Sequence, residues 1–316
     1  MTKVAAITMI KDECDVIELF VKINSRSVDH IFILDHNSKD GTLEILMHMK
    51  AHGYPLTIFK YDSLDYNQGV MLTTLARQVS ASNEYNYIVP LDADEFICTP
   101  SGTFAEAVAK EVPPDGVGTI AWNTYVPIHG EYYNAQAPLY EVFRKCRKEP
   151  NQIYKVIIPN EVAKVCIIGM GSHQIAINGQ AVQGSLVTPV LQHLPVRSIE
   201  QITAKALVGA HQISILPGRS KSTGSHWDDL AQKIRANNHR LSRHDMLGLA
   251  FNYASDLSQS VDESAVDESA PRVGTAEDRI ELQEQARINI LRKFDLFTGT
   301  LCAEILALRQ ARDATL

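Results

Sequence analysis

The sequence predicts an α/β domain built on a mostly parallel central sheet with helices on both faces. Three observations lead there. Over the first hundred residues, short apolar runs alternate with stretches of helical periodicity. Those runs end in polar, ligand-type residues such as Asp35-His36-Asn37-Ser38 and Asp92-Ala93-Asp94-Glu95. The composition, 45% hydrophobic and 21% charged over 316 residues, is that of an ordinary globular chain, long enough for one large domain or two smaller ones.

The apolar run 4–10 reads as a buried strand, and 12 to about 25 as a helix. A second strand at 31–34 ends at Asp35, after which Asp40-Gly41-Thr42 opens a helix carrying Leu43, Leu46, Met47 and Met49 and closing near Gly53. A third strand is expected at 56–61, a helix at 69–79 and a fourth strand at 87–91. Strands separated by helical patterns imply βαβ crossovers. From 117 to about 194 the pattern changes to short β-rich runs at 118–121, 141–144, 154–158, 165–168, 175–177 and 187–192. They predict a mixed or antiparallel extension of the sheet. Helices return at about 198–208 and 227–237.

Near 255–275 the composition shifts. Val261-Asp262-Glu263-Ser264-Ala265 recurs at once as Val266-Asp267-Glu268-Ser269-Ala270, an acidic, Ser-containing stretch that reads as a flexible, solvated linker. Beyond it, 276 to about 312 reads as an amphipathic helical tail with Ile280, Leu282, Ile288, Leu291 and Phe294. It packs on the domain or makes a homo-oligomeric or partner contact.

The net charge of −7 argues against a nucleic-acid binder driven by phosphate contacts. Five cysteines without C-x-x-C spacing fit reduced thiols. With no signal-peptide pattern and no apolar run of about 18 residues, the expectation is a cytoplasmic protein with no transmembrane segment, peripheral at a membrane only through a partner or surface patch.

Asp92 and Asp94 share one face of an extended chain directly after a buried apolar run. Their charges repel unless a cation or hydrogen bonds compensate. A hard divalent ion, Mg2+ or Mn2+, takes one or two carboxylates and completes its shell with phosphate oxygens. The spacing therefore points to a metal–diphosphate site at the end of a strand, where open α/β sheets bind ligands. The alternative is a solvated loop. Asp35, at another strand end, suits the imide N–H of a uracil or a ribose hydroxyl, whereas Ser38 and Asp40 suit helix capping.

Thr8-Met9-Ile10-Lys11-Asp12-Glu13, Leu34-Asp35-His36-Asn37-Ser38-Lys39-Asp40-Gly41-Thr42 and Leu91-Asp92-Ala93-Asp94-Glu95-Phe96 together resemble the family-2-like glycosyltransferases of the GT-A fold, closest to a bacterial subgroup with a D-x-D-E-F signature. Gln68, Lys155 with Ile157-Ile158-Pro159, Gly171-Ser172-His173, His193-Leu194-Pro195-Val196-Arg197-Ser198 with Gln201 and Lys205, and Gly224-Ser225-His226-Trp227 are similar to further elements of that subgroup. The resemblance covers about residues 4–230. Asp12 stands where the family usually has asparagine.

The resemblance implies a metal-dependent, inverting transferase that moves a sugar from a nucleotide-diphosphate sugar, UDP-sugar favoured, to a glycan, lipid-linked or protein acceptor in bacterial surface polysaccharide synthesis. It implies a GT-A domain over 1–254 (nucleotide-binding half 1–100, acceptor half 101–254); the linker at 255–275 and the tail at 276–316 rest on composition and periodicity alone and resemble no named element. Asp94 would hold the metal, with Asp92 on the metal or the ribose. His193 would be a third ligand, or else a satisfied buried histidine. Thr8, Ile10, Glu13, Asp35, Gln68, Asp92, Arg197, Lys205 and His226 would contact the donor. Arg197 and Lys205, a little over two helical turns apart, form a phosphate clamp or an ordinary basic face. Trp227 closes over the site or lies in the core. Inversion needs a base at the acceptor hydroxyl. Glu95 is the first choice, unless it braces the D-x-D from behind, with Glu131 and Glu141 as others. Two other functions compete: a nucleotidyltransferase, which would carry a Gly-rich basic loop after the first strand, and a non-catalytic carbohydrate-binding scaffold.

Overall fold

The computed structural model describes residues 1–62, 67–127, 139–214, 225–253, 266–267, 269–275, 277–278, 280 and 307–308. Its first part follows the expected alternation: β1 (Val4–Ile10), α1 (Ile17–Asn24), β2 (His30–Asp35), α2 (Thr42–Ala51), β3 (Leu56–Lys60), α3 (Gln68–Ala81) and β4 (Tyr87–Pro90). Then come β5 (Glu95–Cys98), α4 (Phe104–Glu111), β6 (Gly118–Val126), α5 (Leu139–Val142), β7 (Lys145–Arg147), β8 (Tyr154–Pro159) and α6 (Asn160–Ala163). β9 (Ile167–Ile168), a 3₁₀ turn (Met170–Ser172), β10 (Ile175–Ile177), β11 (Gln180–Val182) and β12 (Ser185–His193) lead to α7 (Ile199–Ser214), α8 (Ser225–Ala236), α9 (Arg243–Phe251) and β13 (Val266–Asp267).

Strands β3, β2, β1 and β4 run parallel in that spatial order. The sheet continues antiparallel through β8 and β6 to β7 and β13, and β12 pairs with both β6 and β5. Alternate residues of β1 feed two cores: Val4, Ala6 and Ile10 pack with α1, α2 and α4, while Ala5, Ile7 and Met9 pack with α3 and α6. A third core joins α7, α8 and α9. The α/β class, a mostly parallel half with helices on both faces and a mixed extension, is as the sequence predicts.

Four local expectations change. Helix α1 begins at Ile17 rather than near 12. Asp12 is left-handed (φ 55°), a conformation Asp tolerates, and the amides of Glu13 and Cys14 donate to Thr42 Oγ1 (2.9 Å) and Asp40 Oδ2 (3.1 Å), which fixes 11–16 as a loop. The run expected as a strand at 141–144 is instead helical up to Val142, and the strand starts at Lys145. β5, α4, α6, β11 and α9 are additional.

The fourth change concerns the linker. Within the second copy of the repeat, Val266 and Asp267 pair antiparallel with β7. Gln192 Nε2 donates to the carbonyls of Pro271 (2.9 Å) and Arg272 (3.1 Å), Tyr125 Oη donates to Pro271, and Val273 is fully buried in the first core. Residues 266–275, where described, are therefore anchored to the domain, with Asp267, Ser269, Pro271, Arg272 and Thr275 still exposed, because an apolar anchor and sheet pairing offset their ordering cost. The first copy of the repeat and most of the expected helical tail lie outside the described residues. Of that tail, Ile280 is buried and Leu308 exposed.

Candidate active site

The parallel strands end on one edge, and the predicted site residues from β1, β2 and β4 lie there. After β4, Leu91 N–H donates to Ile7 O (3.0 Å) and the chain turns at once. Asp92 and Glu95 close this turn reciprocally: Asp92 N–H donates to Glu95 Oε2 (2.9 Å), and Glu95 N–H to Asp92 O (3.1 Å). Glu95 opens β5, whose antiparallel pairing with β12 sets Glu95 opposite His193, while Leu194 N–H donates to Asp94 O (2.9 Å). Strand register thus brings His193 to the D-x-D across a hundred residues of chain.

The two aspartates have different surroundings. Asp92 is one-third exposed at its side chain; Oδ2 accepts from Lys155 Nζ (2.6 Å) and Oδ1 from Gln68 Nε2 (2.9 Å). Gln68 Oε1 in turn accepts from Gly171 N–H (3.1 Å), so the 3₁₀ turn borders the site. Asp94 is buried, with Oδ2 3.0 Å from Lys205 Nζ and 3.4 Å from Arg197 Nη1, and Oδ1 3.7 Å from His193 Nε2. Burial alone raises its pKa, but Lys205 and its neighbours hold the carboxyl well below the usual range.

His193 stacks on Trp122 (centroids 4.1 Å apart) and meets Tyr253 edge-on at 5.4 Å. Burial pushes its pKa down to about 3, so the ring is neutral near pH 7 and fit to be a ligand. Its Nδ1 is buried without a hydrogen-bond partner.

Arg197 is fully buried. Its Nε and Nη2 grip Asp15 (2.7 and 2.9 Å), Nη2 also donates to Glu13 Oε2, and Nη1 donates to Leu194 O (3.1 Å). The guanidinium expected to clamp phosphate is thus enclosed by protein acceptors, and it ties the β1–α1 loop to the D-x-D. Gln201 Oε1 accepts from the Arg197 amide (3.1 Å). Lys205 reaches both Asp94 and Glu13 Oε1 (3.4 Å) and keeps some exposure. Burial raises the pKa of Glu13, and Lys205 and Arg197 counter it.

Glu95 also differs from a base facing an acceptor. It is fully buried behind the turn, Oε2 held by the Asp92 amide and Oε1 3.3 Å from Lys155 Nζ. Burial pushes its pKa up to about 8, against the pull of Lys155. Burial opposes the charge on Lys155, but Asp92 and Glu95 outweigh it and raise its pKa. Of the other carboxylates weighed, Glu141 is exposed on α5, and Glu131 lies outside the described residues.

At the neighbouring strand ends, Asp35 Oδ1 and Thr8 Oγ1 are buried without hydrogen-bond partners. Asp35 Oδ2 accepts from Ser38 N–H (3.3 Å), and burial raises its pKa. Ile10 O accepts from His36 N–H (2.8 Å). Trp227 packs on the core of α7–α9, over Gly209. The side chain of His226, in the first turn of α8, lies outside the description. Asp15, Trp122 and Tyr253 are site neighbours that sequence reasoning missed, and no motif marks them.

Among the described residues, no three His, Cys, Asp or Glu side chains form a ready metal cage. A divalent ion that shares its shell with a diphosphate needs no such cage. The oxygen donors of Asp92 and Asp94, beside a neutral imidazole, have the right chemistry for it.

No family model matches the chain, and no curated protein matches it either. Among solved structures, it is similar to the mannosyltransferase PcManGT from Pyrobaculum calidifontis in complex with GDP-Man and Mn2+ (16% identity, 82% of this chain, 76% of that one, TM-score 0.37). It is also similar to GalNAc-T7 with UDP, GalNAc and Mn2+ (12% identity, 82% of this chain, 58% of that one, TM-score 0.39). A third is 4-diphosphocytidyl-2C-methyl-D-erythritol synthase from Anaerococcus prevotii (9% identity, 52% of this chain, 72% of that one, TM-score 0.32). The chain spans under two thirds of the length of GalNAc-T7. Likenesses this loose carry no argument about activity. The α/β class, with its parallel half and antiparallel extension, stands on the strand order.

Proposed function

We propose that the protein is a metal-dependent, inverting glycosyltransferase that takes a sugar from a nucleotide-diphosphate sugar, a UDP-sugar by preference, and passes it to a glycan, lipid-linked or protein acceptor in surface polysaccharide synthesis. One observation carries the reading: the paired carboxylates Asp92 and Asp94 lie in the turn that follows β4, next to β1 and β2, on which Thr8 Oγ1 and Asp35 Oδ1 are buried and unpartnered. Leaving such groups unsatisfied costs about 1–3 kcal/mol each, and hydrogen bonds from a nucleoside would recover it.

In this reading Asp94, with Asp92 and His193, holds the divalent ion. The bound ion supplies Lewis-acid neutralisation of the departing diphosphate. The remaining work falls to the chain. Asp35 and Thr8 orient the nucleoside. Lys155 and Gln68 aim Asp92, and Arg197 fixes Asp94 against the β1–α1 loop. Lys205, flexible and partly exposed, gives a diphosphate its cationic contact. Glu95 braces the turn, and the base that takes the acceptor proton comes from the acceptor half.

The test is binding of nucleotide sugars, with and without Mn2+, to wild type and to Asp94→Ala by calorimetry. Mn2+-dependent binding in the wild type that vanishes in a folded Asp94→Ala protein is the expected result. Equal binding by both would remove the metal from this site.

A further inference from the structure

The carboxylates around Asp94 are nearly balanced by internal cations. Glu13, Asp15 and Asp94 face Arg197 and Lys205 within one cluster. The two cations differ in freedom. Arg197 is fully buried, and its donors reach Asp15, Glu13, Asp94 and a backbone carbonyl, so it cannot leave without breaking the loop. Lys205 is 28% exposed at its side chain, the most open member of the cluster. Its ammonium sits at the end of a four-carbon stem rooted on α7, away from the D-x-D turn, and can swing while Asp94 stays in place.

Lys205 Nζ, the partly exposed cation, sits on Asp94 Oδ2 at 3.0 Å. A divalent ion on the same carboxylate would lie within a few ångströms of that ammonium, where like charges repel strongly in a partly buried setting. The two therefore compete for Asp94, even with His193 on the Oδ1 side and Lys205 on Oδ2. We propose that Lys205 is an internal counter-ion that occupies Asp94 until the divalent ion arrives, and then turns onto the diphosphate of the donor. The inference rests on the proposed donor role of this site and adds to it a competition: one side chain weakens metal binding in the empty protein and strengthens nucleotide binding in the loaded one. The metal and the nucleotide are thereby favoured to arrive together, since the ion displaces a lysine left with Glu13 as its carboxylate partner until a phosphate takes the place of Asp94.

The competition can be read without turnover. Mn2+ is titrated onto the full chain, its free fraction followed by electron paramagnetic resonance, with and without UDP. Lys205→Gln should bind Mn2+ about tenfold tighter than wild type without UDP, the scale of an ordinary coupling between mutually exclusive ligands. It should bind UDP in the presence of Mn2+ about tenfold more weakly. Lys205→Arg keeps the charge and should stay near wild type in Mn2+ affinity. Lys205→Met serves as the neutral variant if the glutamine form loses its circular-dichroism signature. Neutral variants that bind Mn2+ no tighter than a Mn2+-binding wild type would overturn the inference while leaving the proposed function standing. A wild type that binds neither Mn2+ nor UDP would defeat both.

Discussion

Lys155 and Asp92 form a 2.6 Å ion pair in which the ammonium is wholly buried and the carboxylate is one-third exposed. The cation comes from β8, the anion from the turn after β4, and Glu95 lies 3.3 Å behind. A buried cation between two carboxylates is a support for the turn, placed beneath the surface that a donor would touch.

Removing that cation leaves Asp92 without its buried counter-charge, while Glu95, its pKa pushed up to about 8, is protonated near neutral pH. Lys155→Met should cost about 3–5 kcal/mol in urea denaturation, the usual result of breaking a buried pair from one side. Adding Glu95→Gln, which mimics the protonated carboxyl, should change that loss little at pH 7. A double variant clearly more stable than the single one at pH 7 would show that Glu95 is charged against Lys155.

Glu95 also gives stability a pH dependence. Its folded pKa, about 8, lies above the ordinary 4.5, so the folded state binds more protons between those values. The contribution is fully present below about pH 4.5, falls as pH rises, and is lost above about 8. Glu95→Gln removes this dependence. The stability of the variant relative to wild type should therefore climb from pH 5 to 8 in chemical denaturation and then level off. A constant difference would place the carboxyl in its ordinary range.

Gly69 is where α3 meets the 3₁₀ turn. A Cβ there would fall 2.8 Å from the Ile168 carbonyl oxygen, a backbone atom that cannot swing away. Gly69→Ala should cost about 1–3 kcal/mol by overpacking, despite the better helix propensity of alanine. Its neighbour Gln68 links Asp92 to Gly171, so the variant should also weaken any ligand that depends on Asp92. A stabilised Gly69→Ala protein would mean that the turn yields freely.

The parallel half of the sheet was legible because a fully buried strand such as β1 is a continuous apolar run, and each helix after it carries its own period. The D-x-D was legible because two acids after such a run are hard to explain otherwise. α4 escaped notice, although Thr103-Phe104-Ala105-Glu106 carries the capping box that the structure shows. α5 was misread because Leu139-Tyr140-Glu141-Val142 has strand-like residues and only one helical turn in which to show a period. The role of Arg197 was not legible. Its partners Glu13 and Asp15 lie more than 180 residues away, and local sequence cannot tell a phosphate ligand from a buried tie. His193 could be suspected from its motif, but its proximity to Asp94 depends on the pairing of β5 with β12.

The docked segment after 265 makes a final prediction, opposite to what its composition suggests. Val273 is fully buried, Asp278 accepts both Arg26 donors (2.6 and 2.9 Å), and Pro271 and Arg272 cap Tyr125 and Gln192 on β6 and β12. One short stretch thus touches both the α1 side and the β6–β12 side of the sheet. Val273→Ala should cost about 2 kcal/mol from lost burial and the small cavity left behind. Tyr125→Phe should cost about 1 kcal/mol or slightly more, because it leaves the Pro271 carbonyl with Gln192 alone. A chain ending before Val266 loses all these contacts and should melt well below the full protein, in a thermal scan, by more than either substitution. If that shortened chain melts with the full one, the segment is a passenger on the fold and the composition was the better guide.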